Sequence, residues 1–157
     1  WLNKRKTLGF TIIEIAVVLT ISAILLTMAS MSLSSSEKGN RDNERSADIE
    51  MLVQCLEDGY ISTQEYVGTI SDLEKCPKAQ EAMTPPKLST ANTVLATNNS
   101  TTVTGVRPTP TKDMYVFQPL TATGALCTAP ATTPCTNYNF FYYSELDGTI
   151  VKVSKTR

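Results

Sequence analysis

A long uncharged apolar run near its start dominates the hydrophobic pattern of the chain. No charged side chain lies between Glu14 and Glu37, and most of the 22 residues between them are apolar. A helix of that length rises about 1.5 Å per residue and extends roughly 33 Å, whereas the hydrocarbon core of a bilayer is about 30 Å thick. Because backbone groups in lipid must be hydrogen-bonded within the chain, the pattern predicts a membrane-spanning helix over residues 10–36.

Beyond the apolar run, hydrophobic positions recur with the period of a helix. Charged residues occupy most of the intervening positions, and we interpret them as a solvated surface with ion pairs along the helix. The pattern predicts that the helix continues over residues 37–60 as an amphipathic segment, with Gly59 as its C-terminal cap. Five apolar side chains share one face, at the spacing i, i+3, i+4, i+7 and i+11: Ile49, Leu52, Val53, Leu56 and Tyr60.

Residues 61–112 show much weaker periodicity. Residues 71–74 resemble a capped helix start, with Ser71 as the capping residue. Residues 84–112 are rich in threonine and proline, which is typical of a surface loop. Within that loop we expect short edge strands at residues 94–95 and around Val103.

The last part of the chain has the composition of β-strands. Candidate strands lie at residues 114–117, 137–144 and 149–153, and Asp147-Gly148 fits a hairpin turn between the last two. Alternation along residues 137–144 sends half of its aromatic side chains to a core face and half to the surface. We therefore predict an α+β fold, in which a long N-terminal helix packs on a small antiparallel β-sheet head that spans residues 61–157.

Composition narrows the classes of function. The chain has 157 residues, enough for one small domain and a membrane segment, with 14 basic and 15 acidic side chains and no histidine. Histidine-dependent triads and zinc sites that need imidazole are excluded. The sequence lacks the clustered basic face of a nucleic-acid-binding protein. It also contains no catalytic motif and no glycine-rich phosphate loop. We expect a non-enzymatic protein without a cofactor or metal, although Glu145 and Asp147 leave a calcium loop open.

Four cysteines lie in the segment that follows the apolar run: Cys55, Cys76, Cys127 and Cys135. No pair has the C-x2-C spacing of a metal site. An even number of cysteines in an exported head indicates disulfides. Three connectivities are possible, and we expect Cys55 to pair with Cys76 and Cys127 with Cys135, each bridge stabilising the head by about 2–4 kcal/mol. The second bridge would staple the turn at residues 129–134.

A short motif precedes the apolar run. The basic residues Lys4, Arg5 and Lys6 are followed by Gly9-Phe10-Thr11-Ile12-Ile13-Glu14. A carboxylate at the edge of an apolar helix is costly, and Glu14 is therefore a candidate functional residue. This stretch resembles the processing and methylation motif of type IV pilins and pseudopilins.

The resemblance implies specific roles. A prepilin peptidase would remove the leader, residues 1–9, by cutting between Gly9 and Phe10, and the new N-terminus at Phe10 would be N-methylated. Glu14 would be the assembly carboxylate, paired with the terminal amine of a neighbouring subunit. Because Trp1 is not a methionine, we expect the leader to begin upstream of it.

The resemblance also implies partners and location. The chain would be a structural subunit of a pilus or pseudopilus filament, with copies of itself or other pilins and membrane lipid as partners. It would lie in the cytoplasmic membrane before assembly, with its basic leader on the cytoplasmic side, and then in an extracellular filament at the cell surface.

Three alternatives stay open. The stretch also fits a secretory signal, with an apolar region at residues 15–26 and small residues near 29–32. A single-pass membrane-anchored surface binding protein that does not polymerise has the same layout. Glu14 also fits an ordinary acid at a helix N-terminus, favoured by the helix dipole. The N-terminus of the natural product distinguishes a pilin from a secreted domain.

Overall fold

The computed structural model describes residues 9–127 and 132–157. The basic cluster at residues 4–6 and most of the predicted leader lie outside the described residues, as do residues 129–131 of the predicted turn. The chain divides into two compact units, Trp1–Glu37 and Lys38–Arg157.

One long helix, α1, spans Ile12–Thr63. It runs through residues 34–40, whose serines, glycine and asparagine are poor helix formers. It also runs through Gly59, so the prediction of a cap at Gly59 was wrong. Helix α1 ends four residues later, where Gln64 takes the left-handed conformation (φ 61°) and its backbone N–H donates to the Tyr60 carbonyl at 2.8 Å.

Two single-turn helices follow, α2 at Ile70–Leu73 and α3 at Ala79–Ala82. Thr69, not Ser71 as predicted, caps α2, because its Oγ1 accepts a hydrogen bond from the Asp72 backbone N–H at 3.1 Å. The helix therefore begins two residues earlier than the sequence indicated.

Four strands form one sheet in the order β1-β2-β3-β4. The pairs β2–β3 and β3–β4 are antiparallel, as expected, and the α+β fold is confirmed. Strand β1 pairs with β2 in parallel, because the 19 residues between them (96–114) carry the chain back to the end where β1 begins. Residues around Val103 lie in a turn and not in a strand. The strands are β1 Thr93–Leu95, β2 Tyr115–Leu120, β3 Asn137–Ser144 and β4 Thr149–Lys155.

The core forms between the apolar stripe of α1 and one face of the sheet. Ile49, Leu52 and Leu56 are each at most 2% exposed. They belong to one cluster with Phe117 of β2 and Phe140 of β3. The predicted stripe is therefore the face of α1 that the head buries.

The second face of β3 is also covered, which corrects the expectation of surface aromatics. Phe141 is fully buried in a smaller cluster with Val106 and Val116. The loop at residues 97–107 closes over this face because the Gln118 side chain donates to the carbonyls of Asn98 and Ser100, at 2.8 and 3.0 Å.

Two disulfides connect the head. Cys55 of α1 is bonded to Cys76, and Cys127 is bonded to Cys135. These are the pairs that the sequence analysis favoured. The first joins α1 to the segment after α2, and the second closes a short loop between β2 and β3.

Candidate functional site

The predicted processing site lies in front of α1. Gly9 and Phe10 precede the helix, and both are exposed. No atom lies within 4 Å of the position that a Cβ at Gly9 would occupy. The Phe10 side chain is 79% exposed. Within the described residues, Gly9 and Phe10 are therefore accessible to solvent, as cleavage by a peptidase requires.

Glu14 lies in the first turn of α1 and its side chain is exposed. Its backbone N–H donates to Thr11 Oγ1 at 3.2 Å, so Thr11 is the N-cap of the helix. The spacing Thr-x-x-Glu is that of a capping box, a signal that the sequence analysis did not use. Because Thr11 supplies the cap, the Glu14 carboxylate is left at the positive end of the helix dipole, where a negative charge is favoured.

The first part of α1 exposes a continuous apolar surface. Of the 17 large hydrophobic side chains that are exposed in the described chain, 14 lie between Phe10 and Leu33. By length and composition, α1 is the described helix that is apolar enough to cross a membrane. An exposed apolar surface of this extent requires lipid or protein to cover it.

Asp42 connects α1 to the turn between β3 and β4. Its carboxylate accepts hydrogen bonds from the Ser144 hydroxyl at 2.8 Å and from the backbone N–H groups of Glu145 and Leu146 at 2.9 and 2.8 Å. A guanidinium N–H of Arg45 donates to it as well, at 2.8 Å. Asp42 therefore fixes the turn onto the helix.

Two arginines of α1 hold Glu145 from the same side. Arg41 donates to both carboxylate oxygens, at 2.9 and 2.6 Å, and Arg45 donates to Oε1 at 2.5 Å. Arg45 is only 1% exposed and also donates to the Lys112 carbonyl at 2.8 Å. We call Arg41, Asp42, Arg45 and Glu145 the hairpin latch.

The hairpin latch corrects one interpretation of the sequence and bears on the calcium loop that the sequence left open. Arg41, Asp42 and Arg45 do not belong to a solvated face, because they bind a turn about 100 residues away.

The hydrogen bond from Arg41, opposed by burial and supported by Arg45, lowers the pKa of Glu145 to about 2. Since both oxygens of Glu145 accept from guanidinium groups, the turn does not offer them to calcium.

A second polar cluster surrounds Glu57. Its carboxylate accepts from the hydroxyls of Tyr66 and Tyr138, at 2.8 and 3.0 Å, and from Arg157. Burial raises the pKa of Glu57, but these hydrogen bonds outweigh it and lower the pKa. The Arg157 guanidinium also lies 4.5 Å from the centre of the Tyr60 ring. This cluster attaches the segment after β4 to α1.

Asp48 is a half-buried acid on α1. Burial raises its pKa to about 6, opposed by a hydrogen bond from Tyr115 and reinforced by Glu44 and Glu81. The Tyr115 hydroxyl donates to Asp48 Oδ2 at 2.8 Å. Within residues 9–127 and 132–157, no group of three or more acidic or cysteine side chains is placed to hold a metal ion. Asp48 is therefore an acid with a raised pKa that is hydrogen-bonded to a buried tyrosine.

The comparisons agree with the motif at the start of the chain. Residues 4–30 match the model of the prokaryotic N-terminal methylation motif. This is the signal motif of type IV pilins and pseudopilins, so the chain carries the motif of a pilin-like precursor and the resemblance is confirmed. The match ends before the head begins. No curated protein and no solved structure matches the chain.

Proposed function

We propose that the chain is a structural subunit of a type IV pilus or a related pseudopilus filament. The observation that carries this proposal is the apolar surface of α1 between Phe10 and Leu33, exposed and placed directly after a methylation motif. Lipid would cover this surface before assembly. In the filament, the same surface of other subunits would take the place of lipid.

Processing would create the charge that sets the register. Cleavage between Gly9 and Phe10 by a prepilin peptidase leaves an amine on Phe10, which is then N-methylated and stays positive near neutral pH. The exposed Glu14 carboxylate of a neighbouring copy is its partner, and low dielectric strengthens the attraction. A subunit in the wrong register would leave a buried charge unpaired, at a cost of several kcal/mol.

The head would face outward and carry no catalytic task. Two disulfides support a location outside the cytoplasm, where oxidising conditions preserve them. The hairpin latch and the Glu57 cluster engage Arg41, Asp42, Arg45 and Glu57 of α1 within the head. The subunit would reside in the cytoplasmic membrane before assembly and in an extracellular filament afterwards.

To test this proposal, the chain is produced in a prokaryotic host that has a prepilin peptidase, and its N-terminal residue and its assembly state are determined. We expect mass spectrometry to find N-methylated Phe10 as the first residue and electron microscopy to find filaments that contain the chain. A terminus that retains residues 1–9, or one near residues 29–32, overturns the proposal. A chain that begins at Phe10 but stays monomeric in detergent favours the membrane-anchored binding protein instead.

A further inference from the structure

Leu146 is an exposed apolar side chain at the tip of the β3–β4 turn. It is 54% exposed. In the described part of the Lys38–Arg157 unit, the other exposed large hydrophobic side chains are Ile61 (74%) and Val103 (37%). The Asp42 carboxylate holds its backbone N–H at 2.8 Å, so the hairpin latch fixes its position. The exposed acid Asp147 follows it directly.

An open groove of about 490 Å³ lies further along α1, beside the Cys55–Cys76 disulfide. We call it the Gly59 groove. Lys78, at its rim, is exposed and forms no ion pair within the part of the chain that the structure describes. The groove is lined by Met51, Gln54, Cys55, Asp58, Gly59, Pro77 and Lys78.

Neither the backbone conformation nor close packing requires a glycine at position 59 of the described chain. Gly59 lies in the interior of α1, where glycine is among the least favourable residues, and it has no positive φ. A Cβ at this position would meet no atom within 4 Å. Since neither the backbone nor the packing of the head requires glycine here, the space above Gly59 is available to a side chain from outside.

Leu146 and the groove lie at opposite ends of the head along α1. Leu146 is held at the level of Asp42, and the groove is lined by α1 from Met51 to Gly59. The 13 residues from Asp42 to Cys55 correspond to about 20 Å of helix. Two complementary surfaces at opposite ends of a subunit give a head-to-tail contact, which is the kind of contact that produces an open filament.

We propose that Leu146 of one copy docks into the Gly59 groove of a second copy, with Asp147 beside Lys78. This inference rests on the proposed function, because the contact requires subunits whose α1 helices run parallel and are offset along the filament axis. The charges select this occupant: Asp147 and Lys78 are both exposed, of opposite sign, and without an ion pair in the described chain. Asp58 also lines the groove, and its like charge disfavours a position of Asp147 beside it.

The first test is a charge swap in the full chain, with filament yield as the measurement. We expect Lys78→Asp and Asp147→Lys each to reduce assembly by about tenfold, and the double swap to restore it. Lys87→Asp is the matched control, because Lys87 is also an exposed lysine with a left-handed backbone, φ 73° against 59° for Lys78. Gly59→Leu, which fills the groove, should reduce assembly as strongly as the charge reversals.

The second test places the photocrosslinking residue benzoylphenylalanine at position 146 in assembled filaments. We expect crosslinks to residues 51–59 or 77–78 of another copy. Crosslinks confined to other surfaces, or normal filaments from both Lys78→Asp and Gly59→Leu, overturn this inference and leave the proposed function intact. A processed wild-type chain that forms no filament under any condition overturns the proposed function, and this inference with it.

Discussion

The guanidinium of Arg45 lies 2.5 Å from the carboxylate of Glu145, a residue 100 positions later in the chain. Arg45 is almost fully buried, while Glu145 keeps a side-chain exposure of 15%. Such a pair stabilises the fold little relative to apolar residues of the same shape, but removing one partner leaves the other charge buried. The pair therefore matters most for where the hairpin attaches to α1.

The first prediction follows from this pair. Arg45→Ala removes the donor that Asp42 and Glu145 share, but Glu145 stays paired with Arg41, and Asp42 keeps its hydrogen bonds to the turn. We therefore expect the free energy of unfolding of the detergent-solubilised chain to fall by about 1.5–3 kcal/mol. Urea unfolding followed by near-ultraviolet circular dichroism of the head aromatics measures it. Lys112→Ala is the control, because only the backbone carbonyl of Lys112 contacts Arg45. A loss for Arg45→Ala no larger than that of the control would contradict this account.

The stability of the head should depend on pH through Asp48. Its pKa of about 6 in the folded chain lies above the ordinary 3.8, so the folded state binds the proton more tightly. The stabilising contribution is present below pH 3.8 and is lost as the pH rises through 6. Asp48→Asn keeps an acceptor for the Tyr115 hydroxyl, and we expect it to stabilise the chain near pH 7 but not near pH 4.

The acids of the hairpin latch give the opposite dependence. The pKa of Glu145, about 2, lies below the ordinary 4.5, so its contribution is present above pH 4.5 and is lost as the pH falls through 2. We therefore expect the melting temperature of the wild-type chain to fall on either side of a maximum between about pH 4 and pH 5. Melting curves across this range test both signs. Asp48→Asn should flatten the alkaline side of the curve and leave its acid side in place.

Processing should depend on Gly9 and not on glycine in general. If a peptidase recognises the motif, Gly9→Val leaves the leader attached, and the intact mass retains residues 1–9. Gly39→Val is a matched control, because a Cβ at either glycine meets no atom within 4 Å. We expect complete processing of the control. Equal processing of both variants would refute the role assigned to Gly9.

Glu14 and Thr11 allow assembly to be separated from helix capping. Glu14→Ala removes the carboxylate but keeps the backbone N–H that donates to Thr11 Oγ1, whereas Thr11→Val removes the cap and keeps the carboxylate. We expect both variants to insert in the membrane. Only Glu14→Ala should lower filament yield, by about tenfold or more, because an unpaired buried charge costs several kcal/mol. If both variants lose filaments equally, Glu14 acts only as a helix N-terminal acid.

Local patterns were enough to predict the framework of the fold. The apolar stripe of Ile49, Leu52 and Leu56 has helical spacing, and it is buried as expected. Strand β3 was predicted at residues 137–144 because its high content of aromatic residues is local information. The methylation motif was readable for the same reason, since its glycine, aromatic and acid lie within six residues.

The features that sequence reasoning missed depend on distant partners. A charged residue on a helix is usually solvated, and nothing near Arg45 indicates that Glu145 will neutralise it. The parallel direction of β1 depends on the long connection to β2. The burial of Phe141 depends on a loop that folds over its strand through Gln118. Gly59 was predicted to be a cap because glycine is common at the C-terminus of a helix. Nothing local to Gly59 indicates that α1 continues to Thr63.

The two disulfides should contribute unequally to stability. In the chain-entropy model the stabilisation grows with the loop that a bridge closes, and the sequence separations are 21 for Cys55–Cys76 and 8 for Cys127–Cys135. We expect the double substitution Cys55→Ser with Cys76→Ser to lower the free energy of unfolding by about 3.4 kcal/mol, and Cys127→Ser with Cys135→Ser by about 2.6 kcal/mol. Guanidinium unfolding of both double variants under non-reducing conditions measures the difference.

Because Cys127 and Cys135 are fully buried, a polar hydroxyl there adds its own cost, and a second pair with alanine in place of serine separates the two contributions. A larger loss from the alanine pair at 127 and 135 than from an alanine pair at 55 and 76 would contradict the loop-length argument.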